Sequence, residues 1–145
     1  MSDSDLVKLY SGQILQLAGS IPHLGHLTAP MGHAKKRSPL CGSTIEAEVC
    51  VAAGRVTAFA QEVKACALGQ ASASILGRVV IGRDRVELAK ARDELARMLV
   101  EDGPAPRGIF DGYEVLRVAR DYKNRHASIL LALDATLAAF DAAAT

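Results

Sequence analysis

The sequence has few aromatic residues and almost no net positive charge, the two features that commonly mark nucleic-acid binding. It has no tryptophan, three phenylalanines and three tyrosines, so it offers few aromatic rings on which single-stranded bases could stack. Its 17 basic residues are nearly balanced by 16 acidic residues, and residues 35–37 form the one basic run. A net charge of +1 gives no broad positive surface for nucleic acid or for an anionic membrane. We therefore predict neither as a partner.

Targeting signals and disulfide patterns are also missing. Residues 1–5 are polar and acidic rather than basic and then apolar, and we expect no stretch that is apolar for long enough to span a membrane. These features predict a cytoplasmic protein. Three cysteines, an odd number, in a reducing compartment predict free, metal-bound or catalytic thiols rather than a disulfide framework. The 145 residues show no internal repeat or linker, so we expect one domain over residues 1–145.

The order of the predicted elements indicates an α+β fold. Apolar spacing and end signals predict helices over residues 5–18, 68–79, 113–119 and 124–142, and a long helix that begins after Asp84 and ends at residues 103–106. A short strand is expected near residues 32–38. A β-hairpin is expected over residues 44–64, with its turn at residues 52–55. We predict a small antiparallel sheet of about three strands with helices packed on one face.

The predicted hairpin has alternating apolar and polar positions. In its first strand Ile45 and Val49 lie on the apolar face, with Glu46 and Glu48 opposite. In its second strand Thr57, Phe59 and Val63 are expected to share one face. Gly54 permits the positive φ that a tight turn needs.

Two of the three cysteines are expected to meet at one end of this hairpin. Cys41 and Cys66 are 25 residues apart and flank its two outer ends, and antiparallel strands bring such ends together. Two converging thiolates form half of a soft-metal site. Cys66 lies where a strand gives way to a helix, which favours its thiolate, although a free cysteine is more often simply a small buried side chain. Cys50 is about nine residues, or roughly 30 Å of strand, from Cys41 and is interpreted as structural.

Histidine is the other residue type in the sequence that commonly completes a metal site with cysteine. His23, His26 and His33 fall in a segment rich in proline and glycine, where solvated side chains are common. His126, near the start of the last helix, is the histidine that we retain as a candidate metal ligand.

The cysteine segments resemble a known family. Pro39-Leu40-Cys41-Gly42 is similar to the Pro-x-Cys-Gly-Asp motif of the U-type iron-sulfur cluster assembly scaffolds, which include IscU, SufU and the NifU amino-terminal domain. Gly54, 12 residues before Cys66, and residues 70–74 after it also match that family. The added helical segment over residues 84–106 resembles the longer SufU-type branch. The resemblance covers almost the whole chain and implies an IscU/SufU-like fold.

The resemblance implies a site that this chain reproduces in part. Family members hold a transient [2Fe-2S] cluster or a zinc ion on three cysteines and an aspartate, and they receive sulfur from a cysteine desulfurase. Here Ser43 stands in the position of the aspartate. Ser128, or Ala127 after a one-residue shift of the alignment, stands in the position of the third cysteine. Serine hydroxyls are poor ligands for iron or zinc beside thiolates. Cys41 and Cys66 remain as ligands, with His126 and, less favoured, Ser43 or Ser128 as replacements.

Three hypotheses follow from the resemblance. The leading one is a scaffold-like protein that binds iron or a [2Fe-2S] cluster through Cys41 and Cys66, receives sulfur through a cysteine desulfurase and supplies cluster-accepting apoproteins. The second is a zinc-dependent sulfur acceptor in which Cys41 takes up persulfide sulfur, which would make the chain a sulfurtransferase. The third is a metal-free interaction module that keeps the fold. A homodimer would supply further ligands to a two-thiolate site.

Overall fold

The computed structural model describes residues 11–143. It contains four α-helices, one 3-10 helix and three strands. In chain order these are α1 Gly12–Ala18, β1 Gly32–Arg37, β2 Thr44–Ala52, β3 Arg55–Lys64, α2 Ala67–Val79, α3 Arg85–Glu101, the 3-10 helix Gly108–Ala119 and α4 Lys123–Ala143. Residues 5–10 of the predicted first helix lie outside the described residues. The α+β class and the three-stranded sheet are confirmed.

The hairpin expected over residues 44–64 is formed by β2 and β3. All three strands are antiparallel in the order β1-β2-β3. Ala53 and Gly54 both have positive φ, 52° and 74°, which is the backbone of the two-residue turn that matches the twist of a hairpin. Ile45 pairs with Val63 and Val49 with Phe59, so these side chains share the face that packs on the core.

A β-bulge changes which side chains of the second hairpin strand lie on the core face of the sheet. Cys50 pairs with Ala58 but Val51 pairs with Val56, so Thr57 is an extra residue that has no paired position on β2. Val56 is buried whereas Thr57 is exposed. The prediction that Thr57 shares a face with Phe59 is therefore wrong, because one inserted residue reverses the alternation beyond it.

The helix α4 forms the centre of the core. It packs against β1 and β2 on the apolar face of the sheet, with α2 and α3 beside it. A Cβ atom on Gly32 would collide with the carbonyl oxygen of Ala139, so only glycine lets β1 approach α4 this closely. By length and composition alone α4 could cross a membrane, which the sequence prediction missed. Half of its most apolar stretch is buried, as in a core helix.

The two edges of the sheet differ in their backbone hydrogen bonding. The outer edge of β3 is bonded to residues 23–25: the Gln61 N–H donates to the carbonyl oxygen of His23, and the Gly25 N–H donates to the carbonyl oxygen of Gln61, both at 2.9 Å. Within residues 11–143 no strand pairs with the outer edge of β1.

The ends of the remaining helices are close to those predicted. Asp84 caps α3 through a reciprocal pair of hydrogen bonds with Glu87. The helix ends at Asp102, whose φ of 55° is left-handed. The short helix predicted over residues 113–119 is the second half of the longer 3-10 helix.

Candidate functional site

Three parts of the chain meet at one end of the sheet. The connection between β1 and β2, residues 38–43, carries Cys41 and Ser43. Cys66 is the N-cap residue of α2, immediately after β3. Thr44 pairs with Lys64, so β3 ends beside the start of β2 and brings Cys66 to the same end. The third part is the beginning of α4, which contributes Ser128.

The loop that carries Cys41 is fixed by its own backbone. The Ser38 N–H donates to the carbonyl oxygen of Ser43, and the Gly42 N–H donates to the carbonyl oxygen of Ser38, both at 2.8 Å. Gly42 has a φ of +69°, a conformation that favours glycine. This loop presents Cys41 half-buried, and its neighbour Leu40 is 75% exposed.

Side-chain contacts join the predicted ligand positions. The Oγ atoms of Ser43 and Ser128 are 2.8 Å apart, and both side chains are buried. Ser128 Oγ is also 3.5 Å from Cys66 Sγ. The Cys41 thiol donates to the carbonyl oxygen of Asn124 at 2.8 Å. The structure therefore brings Cys41, Ser43, Cys66 and Ser128 together.

Both thiols lie over the same face of α4. Asn124, which accepts from Cys41, and Ser128, which contacts Cys66, are four residues apart in the helix. Residues at this spacing are neighbours on one helix face, about 6 Å apart. The two thiols are thus held on successive turns of a rigid element.

A close approach of α2 to α4, which was not predicted from the sequence, shapes this site. A Cβ atom on Gly69 would lie 2.8 Å from Ser128 Oγ and 2.8 Å from Ala65 Cβ. Glycine inside a helix is unfavourable by about 1 kcal/mol relative to alanine, so its presence one turn after Cys66 is the signal that could have revealed the contact.

The environment of Cys66 favours its thiolate. Burial raises the pKa of this thiol, but the backbone N–H groups of Gly69 and Leu68, the Ser128 hydroxyl and the Arg125 charge lower it, and the net pKa is below the usual range. Because Cys66 is only half-buried, this thiolate remains accessible.

His126 is not brought to the thiols. Its Nε2 atom is 3.1 Å from the carbonyl oxygen of Ala119 and 2.9 Å from that of Arg120, so Nε2 carries the proton. His126 is two residues before Ser128, which places it about 200° around the helix axis. It lines a separate cavity of about 530 Å³ with Arg120 and Lys123. Its role as a metal ligand stays a prediction that this placement does not support.

Comparison with solved structures identifies the family. The amino-terminal part of a nitrogen-fixing NifU-like protein from Brucella abortus is 45% identical, the match covers 97% of each chain, and the TM-score is 0.93. The chain belongs to the NifU-like scaffold family. This confirms the resemblance drawn from the cysteine segments. No protein-family model matches the sequence, and no curated protein matches it.

Two more distant structures share the NifU-like fold. A putative iron-sulfur cluster assembly scaffold protein for the SUF system from Fervidobacterium islandicum AW-1 is 17% identical, with 90% of this chain and 95% of the other covered and a TM-score of 0.81. A hypothetical protein is 21% identical, with 93% and 98% covered and a TM-score of 0.80. At these identities the likeness concerns the fold alone.

The NifU-like site of this chain offers two good ligands. Within residues 11–143 no three histidine, cysteine, aspartate or glutamate side chains lie together as a metal site. Ser43 and Ser128 bond to each other, and Ala127, the alternative third position, carries no ligand atom. Cys50 is engaged elsewhere, 3.5 Å from the carbonyl oxygen of Ala29. The residues present thus fit a two-thiolate site but not a site with three thiolates and an aspartate.

Basic side chains surround this end of the NifU-like domain. Arg37 precedes the loop of Cys41, Lys64 is two residues before Cys66, and Lys123 is next to Asn124. All three are exposed, and none forms an ion pair with another described residue. We call these three residues the basic rim.

Proposed function

We propose that this NifU-like chain acts in iron-sulfur cluster assembly as a scaffold-like protein that holds iron or a transient [2Fe-2S] cluster through Cys41 and Cys66. The observation that carries the proposal is the placement of two half-buried thiols over one face of α4. Thiolates are the ligands that iron-sulfur clusters use most. Iron or a cluster that is held by few strong ligands at an accessible site can be released again to an acceptor protein.

The proposed partners are a cysteine desulfurase, which supplies sulfur, and apoproteins, which accept the cluster. The basic rim supports docking of acidic surfaces around the thiols, since opposite charges steer encounter and orient partners. Free thiols of this kind require a reducing compartment, so we propose the cytoplasm as the location.

Anaerobic reconstitution tests the proposal. The purified chain is reduced, mixed with ferric iron and sulfide, and desalted before iron, sulfide and visible absorption are measured. We expect a cluster chromophore that is lost in Cys41→Ser and in Cys66→Ser. Cys50→Ser is the matched control, because Cys50 lies outside the site, and it should load like the original chain. Absence of both chromophore and bound iron in the original chain would overturn the proposal.

A sulfur-acceptor role is the second candidate, and the position of Cys66 favours it. The Cys66 thiolate would attack the outer sulfur of a desulfurase persulfide. A new S–S bond forms on Cys66 as the donor S–S bond breaks, and the donor cysteine leaves as a thiolate. The sequence predicts Cys41 as the acceptor, whereas the N–H groups at the start of α2 support Cys66.

Incubation with a cysteine desulfurase and cysteine distinguishes the two acceptors. Mass spectrometry should show a gain of one sulfur atom on Cys66, which Cys66→Ser abolishes and Cys41→Ser retains. Loss of the label in Cys41→Ser alone would favour the original assignment. The zinc-dependent form of this activity requires stoichiometric zinc in the purified chain, and with Ser43 in place of aspartate the donor set for zinc is weak.

A further inference from the structure

We propose that the outer edge of β1 binds an extended, acidic segment of a partner protein, which joins the sheet as a fourth strand. This inference goes beyond the proposed function. It concerns the lateral edge of the sheet rather than the end that carries the thiols, and it needs neither iron nor a cluster.

The first argument is the open backbone of β1. In the order β1-β2-β3, β1 has β2 on one side, and within residues 11–143 no strand pairs with its other side. The opposite edge differs, since Gln61 of β3 makes two backbone hydrogen bonds with residues 23–25. On an edge strand, every second residue directs its N–H and C=O groups away from the sheet, and an added strand can pair with them. The edge of β1 therefore has room for a fourth strand.

The second argument is the charge of β1. Lys35, Lys36 and Arg37 are consecutive and exposed, and none forms an ion pair with another described residue. Lys35 lies opposite Glu46 of β2, and an acidic residue on an added strand would flank it on the other side. Opposite charges on neighbouring strands stabilise a sheet, whereas like charges destabilise it. Side chains that oppose an uncharged or basic strand thus admit an acidic one.

The third argument is that the two faces of β1 differ. Side chains alternate along a strand, so His33, Lys35 and Arg37 share one face. The opposite face lies on α4, where a Cβ atom on Gly32 would meet the carbonyl oxygen of Ala139. An added strand would therefore carry acidic residues on the face of Lys35 and Arg37, and its intervening residues would point toward the α4 side. The partner segment is expected to alternate acidic and apolar residues.

The helix α4 extends the apolar surface toward this position. It packs on β1 and β2, and a helix about 10–12 Å wide spans about two strands that are about 4.8 Å apart. Side chains on the α4 side of a strand next to β1 would therefore reach the flank of the helix. Between residues 127 and 140 the helix has one charged residue, Asp134, and both Leu137 and Ala138 are only half-buried. Apolar residues of the partner segment would cover such a flank.

The test uses a synthetic peptide as the partner segment. It has about six residues, the length of a typical strand, alternates glutamate and valine, and carries blocked ends and a fluorophore. Binding is measured by fluorescence anisotropy on the full chain in the presence of a chelator. We expect saturable binding that weakens as the salt concentration rises.

Charge reversal tests the recognition of acidic residues. The double variant K35E/R37E should bind the acidic peptide about tenfold more weakly, and it should bind a peptide that alternates lysine and valine more tightly than the original chain does. K90E/R97E is the matched control, because it reverses two exposed basic residues of α3 and has the same net charge. It should bind the acidic peptide like the original chain.

Backbone pairing is tested separately from charge, on the original chain. The acidic peptide with methylated backbone nitrogens keeps its carboxylates but cannot donate hydrogen bonds to β1. It should bind about tenfold more weakly than the unmethylated peptide. Bound unmethylated peptide should also slow amide hydrogen exchange within residues 32–37 and leave the exchange of β3 unchanged.

Each of the following results would overturn the inference. Equal binding of the methylated peptide would mean attraction by charge alone, and no binding of either peptide would mean that the edge accepts no strand. Tighter peptide binding by D3N/D5N would make the acidic start of this chain the occupant. A dimer that K35E/R37E abolishes would make a second copy the occupant. None of these results bears on the thiol site, so the proposed function is tested independently.

Discussion

The buried hydroxyl pair allows a test of whether Ser43 and Ser128 act in folding or in metal binding. Ser128→Ala removes a buried hydrogen bond worth about 1 kcal/mol and leaves the Ser43 hydroxyl without its partner, at a further cost of about 1–2 kcal/mol. We expect the free energy of unfolding to fall by about 2–3 kcal/mol. Ser43→Ala should cost about 1 kcal/mol, because Ser128 keeps Cys66 as a neighbour at 3.5 Å.

The double variant S43A/S128A completes a mutant cycle. Because it leaves neither hydroxyl unpaired, it should be less destabilised than the sum of the two single variants, by about 1 kcal/mol. The assay is urea unfolding followed by circular dichroism, in the presence of a chelator so that bound metal does not contribute. Ser38→Ala is the matched control: the Ser38 hydroxyl lies in the same loop, is buried and has no hydrogen-bond partner within residues 11–143. Its loss should be neutral or slightly stabilising.

Two results would refute this reasoning. The first is an unchanged stability of Ser128→Ala, which would mean that the hydroxyl pair contributes nothing to folding. The second is loss of iron uptake in the double variant while it remains folded, which would make the hydroxyls ligands after all.

Three further predictions concern packing, reactivity and capping. Gly69→Ala should lower the free energy of unfolding by about 1–3 kcal/mol, because overpacking against Ser128 exceeds the helix-propensity gain. Gly12→Ala is the control and should be neutral or stabilising, because a Cβ atom there would meet no non-neighbouring atom of residues 11–143 within 4 Å. Equal urea midpoints for the two variants would contradict this. In a variant that keeps Cys66 as its sole cysteine, the lowered pKa of the Cys66 thiol should keep alkylation by iodoacetamide fast at pH values where an unstructured cysteine peptide already reacts slowly. Identical pH profiles for the two would argue against an activated thiolate. Asp84→Ala should cost about 1 kcal/mol in urea unfolding through loss of the α3 cap, and an unchanged midpoint would show the cap to be dispensable.

Local patterns predicted much of the fold. Alternation along residues 44–51 and the glycine at position 54 are properties of neighbouring residues, and they were sufficient to place the hairpin. The same holds for Asp84, whose side chain caps α3 through Glu87, three residues away. Convergence of Cys41 and Cys66 followed from the hairpin alone, because antiparallel strands return to their origin.

The remaining features depend on contacts between distant parts of the chain. Which face of the sheet carries Thr57 depends on a β-bulge in the pairing of β2 with β3, and the alternation of apolar and polar residues does not reveal that bulge. Ser43 and Ser128 are 85 residues apart, so their hydrogen bond could not be read from spacing. His126 was predicted from its residue type and its position near the start of the last helix. Which way it faces depends on the packing of α4 and the end of the 3-10 helix.

The unequal edges of the sheet limit how this domain can aggregate. On the edge of β3, the N–H and C=O of Gln61 are already bonded to residues 23–25, whereas within residues 11–143 no strand pairs with the outer side of β1, so a foreign strand would add most readily along β1. There it would meet Lys35, Lys36 and Arg37 in succession, and charged residues on an open edge oppose strand addition. The unpaired edge is therefore protected by its charges rather than by another strand, and the domain can expose reactive thiols at one end while misfolded chains are discouraged from adding to the sheet.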